Sequence, residues 1–286
     1  MYGNREPNGY KKIKILGKGG CGIVYLCKSI ENNKQYAAKQ ISKKNKSEIS
    51  LNDSKKEIEI INKLLDKNKN PEGEEYITKL VESYEDNQDI WMIFDKGGKS
   101  LGSLMFKIKG EFMNSERIYL IKKGKFFKHL FYDENNENFK NFFRKLLEML
   151  VFLNNLNQTV HCDIKPENIV FDYNYNSDFN EYINYDSLKL IDFGSAFEIK
   201  DPNNFSSNTP EYMPPEITEL IEKKVSNRDI NSFLKKLDKY PYVIDIWSLA
   251  VMILEILLSC PVWMSYKTKT VINGKVISNY MCYLYL

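Results

Sequence analysis

Histidine and cysteine, the usual ligands of zinc in proteins, are scarce in this sequence. The 286 residues include 2 histidines and 5 cysteines, and no two cysteines have C-x-x-C spacing. Structural zinc sites use clustered Cys and His ligands, and disulfide-rich domains usually carry an even number of cysteines. The composition therefore argues against a zinc site, a His-rich metal centre and a disulfide framework.

The chain also lacks a charge excess of one sign and a long apolar run, and its polar start is not expected to be a signal peptide. Its 41 basic and 38 acidic residues give a formal net charge of +3, so neither nucleic acid nor a membrane is expected as a partner. The most apolar segment, residues 246–260, is shorter than the ~20 residues that span a bilayer and is expected to be a buried helix. Because the start is polar, we expect an intracellular protein, cytoplasmic or nuclear.

Secondary-structure signals divide the chain into two parts. Apolar and polar residues alternate over residues 10–42 and in two later runs, which predicts strands. Residues 54–65 have helical periodicity, and Ser54 and Glu57 fit a capping box at the start of that helix. A strongly amphipathic helix is predicted over residues 138–156, and most of the later chain is predicted to be helical. A strand-rich part followed by a helix-rich part predicts two lobes.

A glycine-rich segment, GKGGCGIV, follows the first predicted strand. Gly17, Gly19, Gly22 and Val24 fit the pattern G-x-G-x-x-G-x-V, in which glycines let backbone amides approach a phosphate. Ordinary glycine-rich hairpin turns give the same pattern, so the segment alone leaves both interpretations open. Its place between two strands argues against a dinucleotide-binding Rossmann fold, in which the glycines open a helix.

Lys39 ends the apolar run YAAK in the next predicted strand. A lysine there usually lies at an exposed edge, and it suggests a site only when a carboxylate is available as its partner. Glu57 is the candidate partner, and its competing role is the capping box with Ser54. We favour the pair with Lys39, because the helix that carries Glu57 must face the strands.

Two short motifs concentrate groups that handle protons, phosphate and metal. Residues 161–168 are HCDIKPEN, and residues 191–194 are IDFG. Asp and Asn oxygens are ligands that suit Mg²⁺, and lysines supply point charges for phosphate. Phosphoryl transfer depends mainly on positioning and on charge neutralisation, which such a set of side chains can provide.

With these motifs in this order, the chain resembles the eukaryotic protein kinases of the serine/threonine type. The resemblance extends from about residue 10 to about residue 260 and includes TPEYMPPE (209–216) and DIWSLA (245–250). It implies an α+β, two-lobed fold in one kinase-like domain, residues 1–286. The implied N-lobe, a small antiparallel sheet with one helix, covers residues 10–95. The implied hinge is 96–98, and the mainly helical C-lobe is 99–286, incomplete after about residue 260.

The resemblance implies ATP-dependent transfer of a phosphoryl group to serine or threonine hydroxyls of a protein substrate. In that reaction Asp163 would accept the hydroxyl proton, Lys165 would neutralise the γ-phosphate, and Asn168 and Asp192 would hold Mg²⁺. The residues implied to bind ATP are Gly17, Lys18, Gly19, Gly22, Val24, Ala37, Lys39, Glu57, Phe94, Asp95, Gly97 and Val170. The alternative is a non-catalytic kinase-like module that binds a nucleotide or a partner.

The resemblance also implies a structural column and the position of one aromatic residue. The column of apolar contacts through both lobes would consist of Leu80, Ile61, Phe193 and His161, anchored by Asp245. Phe94 would lie at the back of the nucleotide pocket, where it would exclude inhibitors that need a rear pocket.

The sequence departs from the family in three places. Cys162 replaces the arginine that usually precedes the catalytic aspartate and pairs with a phosphate on the activation segment. This predicts an enzyme whose activity is insensitive to phosphate at Ser206 or Ser207, with Thr209 in contact with Asp163 and Lys165. The alternative is that Cys162 is a neutral replacement by a small apolar residue.

The chain after Cys260 has no helical stripe. The insert between Gly98 and Phe139 is expected to be a solvated loop with a satellite apolar cluster, and partner binding is the alternative.

Overall fold

The computed structural model describes most of the chain, in ten ranges. These are residues 5–19, 22–44, 48–113, 116–131, 135–174, 182–201, 209–222, 242–261, 267–272 and 275–280. The fold is α+β with two lobes, as predicted: an antiparallel sheet with one long helix comes first, and a mainly helical lobe follows.

The first lobe is a five-stranded antiparallel sheet in the order β1-β2-β3-β5-β4. Its strands are β1 (Tyr10–Lys18), β2 (Ile23–Ser29), β3 (Gln35–Ser42), β4 (Leu80–Glu85) and β5 (Asp89–Asp95). Successive residues of a strand point to opposite faces, so Trp91 and Ile93 join one apolar cluster while Ile90 and Met92 join another. Lys39 pairs with Met92 and therefore lies on the second of these faces.

Helix α1 (Glu48–Leu64) packs on the face of the sheet that carries Lys39. The helix begins before Ser54, so the predicted capping box at Ser54 is wrong and Ser54 lies inside the helix. The physical reason is tertiary contact, because Leu51, upstream of Ser54, packs with Ile58 against the buried residues of the sheet. A short helix, α2 (Gly73–Tyr76), connects α1 to β4.

Residues 96–98 connect the two lobes and carry glycine at two positions. A Cβ on Gly98 would lie 1.8 Å from the carbonyl oxygen of Phe171, so only glycine fits there. A Cβ on Gly97 would lie 2.7 Å from Cγ2 of Val170, so a larger residue would require the Val170 side chain to move. The chain then enters β6 (Lys99–Ser100), which pairs with a strand of the second lobe.

The second lobe is built around helix α5 (Glu137–Leu150), which continues into a π-helical turn, Val151–Leu156. The other helices are α3 (Leu101–Met105), α4 (Phe126–Leu130), α6 (Pro215–Glu222) and α7 (Val243–Leu258). The strands are β7 (Phe106–Met113), β8 (Glu116–Lys123), β9 (Thr159–Val160), β10 (Ile169–Phe171), β11 (Tyr173–Asn174), β12 (Tyr182–Ile183), β13 (Lys189–Leu190), β14 (Phe197–Glu198), β15 (Lys267–Ile272) and β16 (Lys275–Tyr280). Helix α7 confirms the helix expected near residues 246–260, although only one side of it is buried.

The region between Gly98 and Phe139 differs from the expected solvated loop. Its apolar residues belong to the main core of the second lobe: Leu101, Met105, Phe126, Phe127 and Leu130. A backbone bond from the Gly124 amide to the Met105 carbonyl, 2.7 Å long, closes the β7–β8 hairpin so that α3 and α4 meet. The expectation of a satellite cluster is therefore wrong, because the two ends of this region complete the core.

Among the described residues, no helix combines the length and apolar character that a bilayer crossing requires.

Strands β15 and β16 form an antiparallel hairpin in the region where the sequence showed no helical stripe. That the second lobe is incomplete after about residue 260 stays a prediction.

Candidate active site

The glycine-rich segment forms the connection between β1 and β2. The Gly19 amide donates to the Gly22 carbonyl across 3.0 Å, which closes the turn. A Cβ on Gly22 would lie 2.4 Å from the carbonyl oxygen of Gln40, so only glycine fits there. Among the described residues, no atom lies within 4 Å of a Cβ built on Gly17 or Gly19. These two glycines therefore leave open space beside the backbone, as a phosphate-binding turn requires.

Strand pairing aligns the predicted nucleotide-binding residues on one face of the sheet. Val24 lies opposite Lys39, and Ala37 lies opposite Phe94. Directly paired residues project to the same face, and so do residues two apart in a strand. Val24, Ala37, Lys39 and Phe94 therefore share the face that α1 covers in part. On the other side of the connection between the lobes, the Val170 side chain lies beside Gly97, where a built Cβ would be 2.7 Å from Cγ2.

Lys39 is bonded to two carboxylates in a buried setting. Its Nζ lies 2.6 and 2.9 Å from the two oxygens of Glu57 and 2.8 Å from Oδ1 of Asp192. Lys39 is 6% exposed and Glu57 is 3% exposed. Burial disfavours the charged ammonium, but the charges of Asp192 and Glu57 outweigh it and raise the pKa of Lys39 above its usual value. The ammonium in turn lowers the pKa of Asp192 to about 2. The predicted pair of Lys39 with Glu57 is therefore confirmed.

Asp163 lies at the centre of a second set of contacts. Its Oδ2 accepts from Lys165 Nζ at 2.7 Å and from Asn168 Nδ2 at 2.9 Å. The Thr209 hydroxyl donates to Oδ1 of Asp163 at 2.6 Å and accepts from Lys165 Nζ at 2.7 Å. The predicted contact of Thr209 with both side chains is confirmed. The arrangement holds a hydroxyl between a carboxylate and an ammonium, at the distances that proton transfer requires.

Asn168 and Asp192 are brought together by a backbone bond. The Ile191 amide donates to the Asn168 carbonyl across 3.0 Å, so the residue that precedes Asp192 is fixed beside Asn168. The side-chain nitrogen of Asn168 donates to Asp163, and one carboxylate oxygen of Asp192 accepts from Lys39. Each side chain therefore has another oxygen that could bind a metal ion. Hard oxygen donors fit Mg²⁺, although in the described part of the chain no group of three or more His, Cys, Asp or Glu side chains is suited to a metal.

Asp245 of helix α7 fixes the backbone just before Asp163. It is fully buried and accepts from the amides of His161 and Cys162, both at 2.8 Å, and from Asn154 Nδ2 at 2.9 Å. Burial raises the pKa of Asp245, and these donors oppose that shift. Cys162 has a left-handed φ of 64°, a conformation that costs a non-glycine residue about 1–3 kcal/mol. The anchoring role predicted for Asp245 agrees with this geometry.

The predicted column is present in its central part. The rings of His161 and Phe193 lie 4.9 Å apart, edge to face. Ile61 is 2% exposed and belongs to the same apolar cluster as Phe193, with Leu80 packed against it. Ile61 therefore points inward while Glu57 reaches Lys39, as expected.

Cys162 lies in an apolar cluster that links the two described ends of the segment between Asp192 and Glu216. The cluster consists of Val160, Cys162, Phe197, Met213, Ile217 and Ile244. Burial, with the nearby charges of Asp245 and Asp163, raises the pKa of the Cys162 thiol well above its usual value. Ser206 and Ser207 lie outside the described residues. The thiol thus acts as an apolar side chain, with no charge to offer to a phosphate.

Two contributors to the site were not found from the sequence. Asn154 supports Asp245, and Lys63 bonds to Glu198, four residues beyond the IDFG motif. Asn154 sits in the π-helical turn, and its only sequence signal is a polar residue next to the apolar stripe of a helix. Lys63 looks like any surface lysine in the last turn of a helix.

Comparisons with known proteins agree with this geometry. The family model described as protein kinase domain matches residues 10–283, somewhat beyond the limit near residue 260 inferred from the motifs. The chain is 32% identical over 247 residues to calcium-dependent protein kinase 22 of Arabidopsis thaliana, covering 85% of this chain and 39% of the relative. It is 27% identical over 253 residues to serine/threonine-protein kinase SCH9 of Saccharomyces cerevisiae, with coverages of 87% and 24%. It is 26% identical over 229 residues to human death-associated protein kinase 2, with coverages of 75% and 51%. The chain thus spans about half, or less, of the length of each of these relatives.

Proposed function

Because this chain belongs to the protein kinase domain family, we propose that it transfers the γ-phosphoryl group of ATP to serine or threonine hydroxyls of protein substrates. Curated relatives named as serine/threonine kinases support this choice of acceptor. The observation that carries the proposal is the Thr209 hydroxyl, which is held between Asp163 and Lys165 in the way a substrate hydroxyl would be.

In the proposed reaction, Asp163 Oδ1 takes the proton of the substrate hydroxyl. The hydroxyl oxygen forms a bond to the γ-phosphorus, and the bond from that phosphorus to the bridging oxygen of ADP breaks. Lys165, which is already bonded to Asp163, neutralises the oxygens of the transferred group. Because the transition state carries its charge on these oxygens, a fixed ammonium nearby stabilises it.

Lys39 would hold the α- and β-phosphates, and Glu57 would keep its ammonium in place. Asn168 and Asp192 are the residues that would hold Mg²⁺, whose charge neutralises phosphate oxygens when it is bound. Gly17 and Gly19 leave the space that a close approach of phosphate to the backbone needs. Val24, Ala37, Val170 and the chain at residues 95–97 would enclose the base.

The decisive experiment compares the wild-type chain with Asp163→Asn and Lys39→Met. We expect MgATP to raise the melting temperature of the wild type and of Asp163→Asn, but not of Lys39→Met, which loses the phosphate ligand. Transfer of radiolabel to casein or histone should fall by about 10²–10⁴-fold in Asp163→Asn, the usual loss for a general base.

The matched control is Asp172→Asn, which removes an exposed carboxylate from the same lobe. It should leave both binding and transfer unchanged. Wild-type transfer by Asp163→Asn would contradict the proposed role of that residue. Nucleotide binding by the wild type without any transfer would support the alternative, a non-catalytic kinase-like module.

A further inference from the structure

The last turn of α1 carries a lysine that reaches the second lobe. Lys63 Nζ lies 2.6 Å from Oε1 of Glu198 in β14 and 3.2 Å from the Asn157 carbonyl, which precedes β9. The hydrogen bond from Lys63 lowers the pKa of Glu198 below its usual value. Helix α1 is therefore bonded to two segments of the other lobe, one before and one after residues 161–168.

The two groups that Lys63 binds are themselves fixed. The side-chain amide of Asn157 donates to the Phe152 carbonyl at 2.9 Å, which holds the Asn157 backbone in place. Glu198 pairs with Thr159 in the β14–β9 ladder, and Thr159 is fully buried. Lys63 thus bonds to ordered backbone and to a carboxylate on a strand, rather than to a loose surface group.

The position of Lys63 relative to Glu57 determines what the Lys63–Glu198 contact does to helix α1. Six residues of α-helix separate their Cα atoms by about 9 Å along the axis and place the side chains about 120° apart around it. The apolar side of α1 packs on the sheet and the core, and Lys63 adds a polar contact to the second lobe, which limits the rotation of the helix about its axis further. We propose that Lys63 is a positioning residue, which by pairing with Glu198 holds α1 in the orientation in which Glu57 engages Lys39.

The same ion pair couples α1 to the segment that follows Asp192. Glu198 stays within reach of Lys63 only while β14 is paired with β9. The ion pair that holds α1 therefore depends on this strand pairing. Coupling of this kind is reciprocal, so each element stabilises the arrangement of the other. The inference rests on the proposed function only where it concerns ATP, since the orientation of α1 can be measured without nucleotide.

The first test measures amide hydrogen exchange in the nucleotide-free chain. We expect Lys63→Met to speed exchange in residues 55–64 and in β14 by about threefold to fivefold, the upper range for a partly exposed ion pair. Lys63→Arg should restore slow exchange. The control is Lys200→Met, because Lys200 binds the other oxygen of the same carboxylate at 3.0 Å but lies only two residues from it. That variant should leave α1 unchanged.

The second test measures the affinity of a fluorescent ATP analogue with Mg²⁺. Lys63→Met and Glu198→Gln should each weaken it by about threefold to fivefold, and the double variant should be no weaker than either, because each change breaks the same pair. Equal exchange in Lys63→Met and Lys200→Met, or additive losses in the double variant, would overturn the proposal. A wild type that binds no nucleotide would instead contradict the proposed function, and the exchange measurements would still decide the role of Lys63.

Discussion

Replacing Cys162 by arginine should destabilise the protein instead of creating a phosphate-dependent switch. The Cys162 side chain is 2% exposed and packs with Phe197, Met213 and Ile217 in an apolar cluster. An arginine must either force this cluster apart or leave it for solvent. Overpacking of this kind costs about 1–3 kcal/mol, which lowers the melting temperature of a chain this size by roughly 2–12 °C.

Two cysteine-to-serine variants make the same change at a buried and at an exposed position. Cys162→Ser keeps the volume of the side chain but introduces a hydroxyl among apolar groups, at a cost of about 1–3 kcal/mol if the hydroxyl stays unpaired. Cys260 is exposed, so Cys260→Ser should change stability by less than about 0.5 kcal/mol. Serine, like cysteine, is not β-branched, so Cys162→Ser introduces no β-branched residue at the left-handed φ of position 162.

The assay combines thermal unfolding with activity measured before and after phosphatase treatment. Cys162→Arg should melt lower than the wild type. Phosphatase should leave the activity of the wild type unchanged, because the Cys162 thiol offers no charge that could pair with a phosphate. A Cys162→Arg variant as stable as the wild type would refute the packing argument. A reversible loss of wild-type activity on phosphatase treatment, mapped to Ser206 or Ser207, would refute the prediction that no phosphate gates the enzyme.

Three further predictions concern other parts of the molecule. Phe94→Gly should open space behind the nucleotide pocket, so inhibitors with a bulky rear group should bind at least about tenfold more tightly, as a titration can measure. Asn154→Asp places a second carboxyl 2.9 Å from buried Asp245, so urea denaturation should show its stability falling as pH rises from about 4 to 7, more steeply than that of the wild type. Arg5, with the backbone amides of Gln88 and Asp89, lowers the pKa of Asp86 from 3.8 to about 2, and the stability this adds is present above pH 3.8 and lost as pH falls through 2. Arg5→Gln should therefore lower the melting temperature at pH 6, with the difference from the wild type shrinking as pH falls through 2.

The local pattern of apolar and polar residues was sufficient to predict the strands and the chemistry of the motifs. It was not sufficient to predict where every helix begins. Alternation of apolar and polar residues predicted the sheet, because a strand with one buried face must repeat every second residue. The start of α1 was misplaced, because Leu51 extends the helix through a contact with the sheet that lies far away in sequence. The region between α3 and α4 was misjudged for the same reason, since Leu101 and Phe126 reach the core only after the chain folds back.

The sequence by itself determined which groups are available: the carboxylates, the two lysines, the asparagine and the glycines, at spacings that allow phosphoryl-transfer chemistry. Only the tertiary structure decided which of these groups meet. Lys39 and Asp192 are separated by 153 positions and lie 2.8 Å apart, and Lys63 reaches Glu198 across 135 positions. Such pairs depend on how two lobes pack together, and local propensity carries no information about a contact between residues so far apart in the chain.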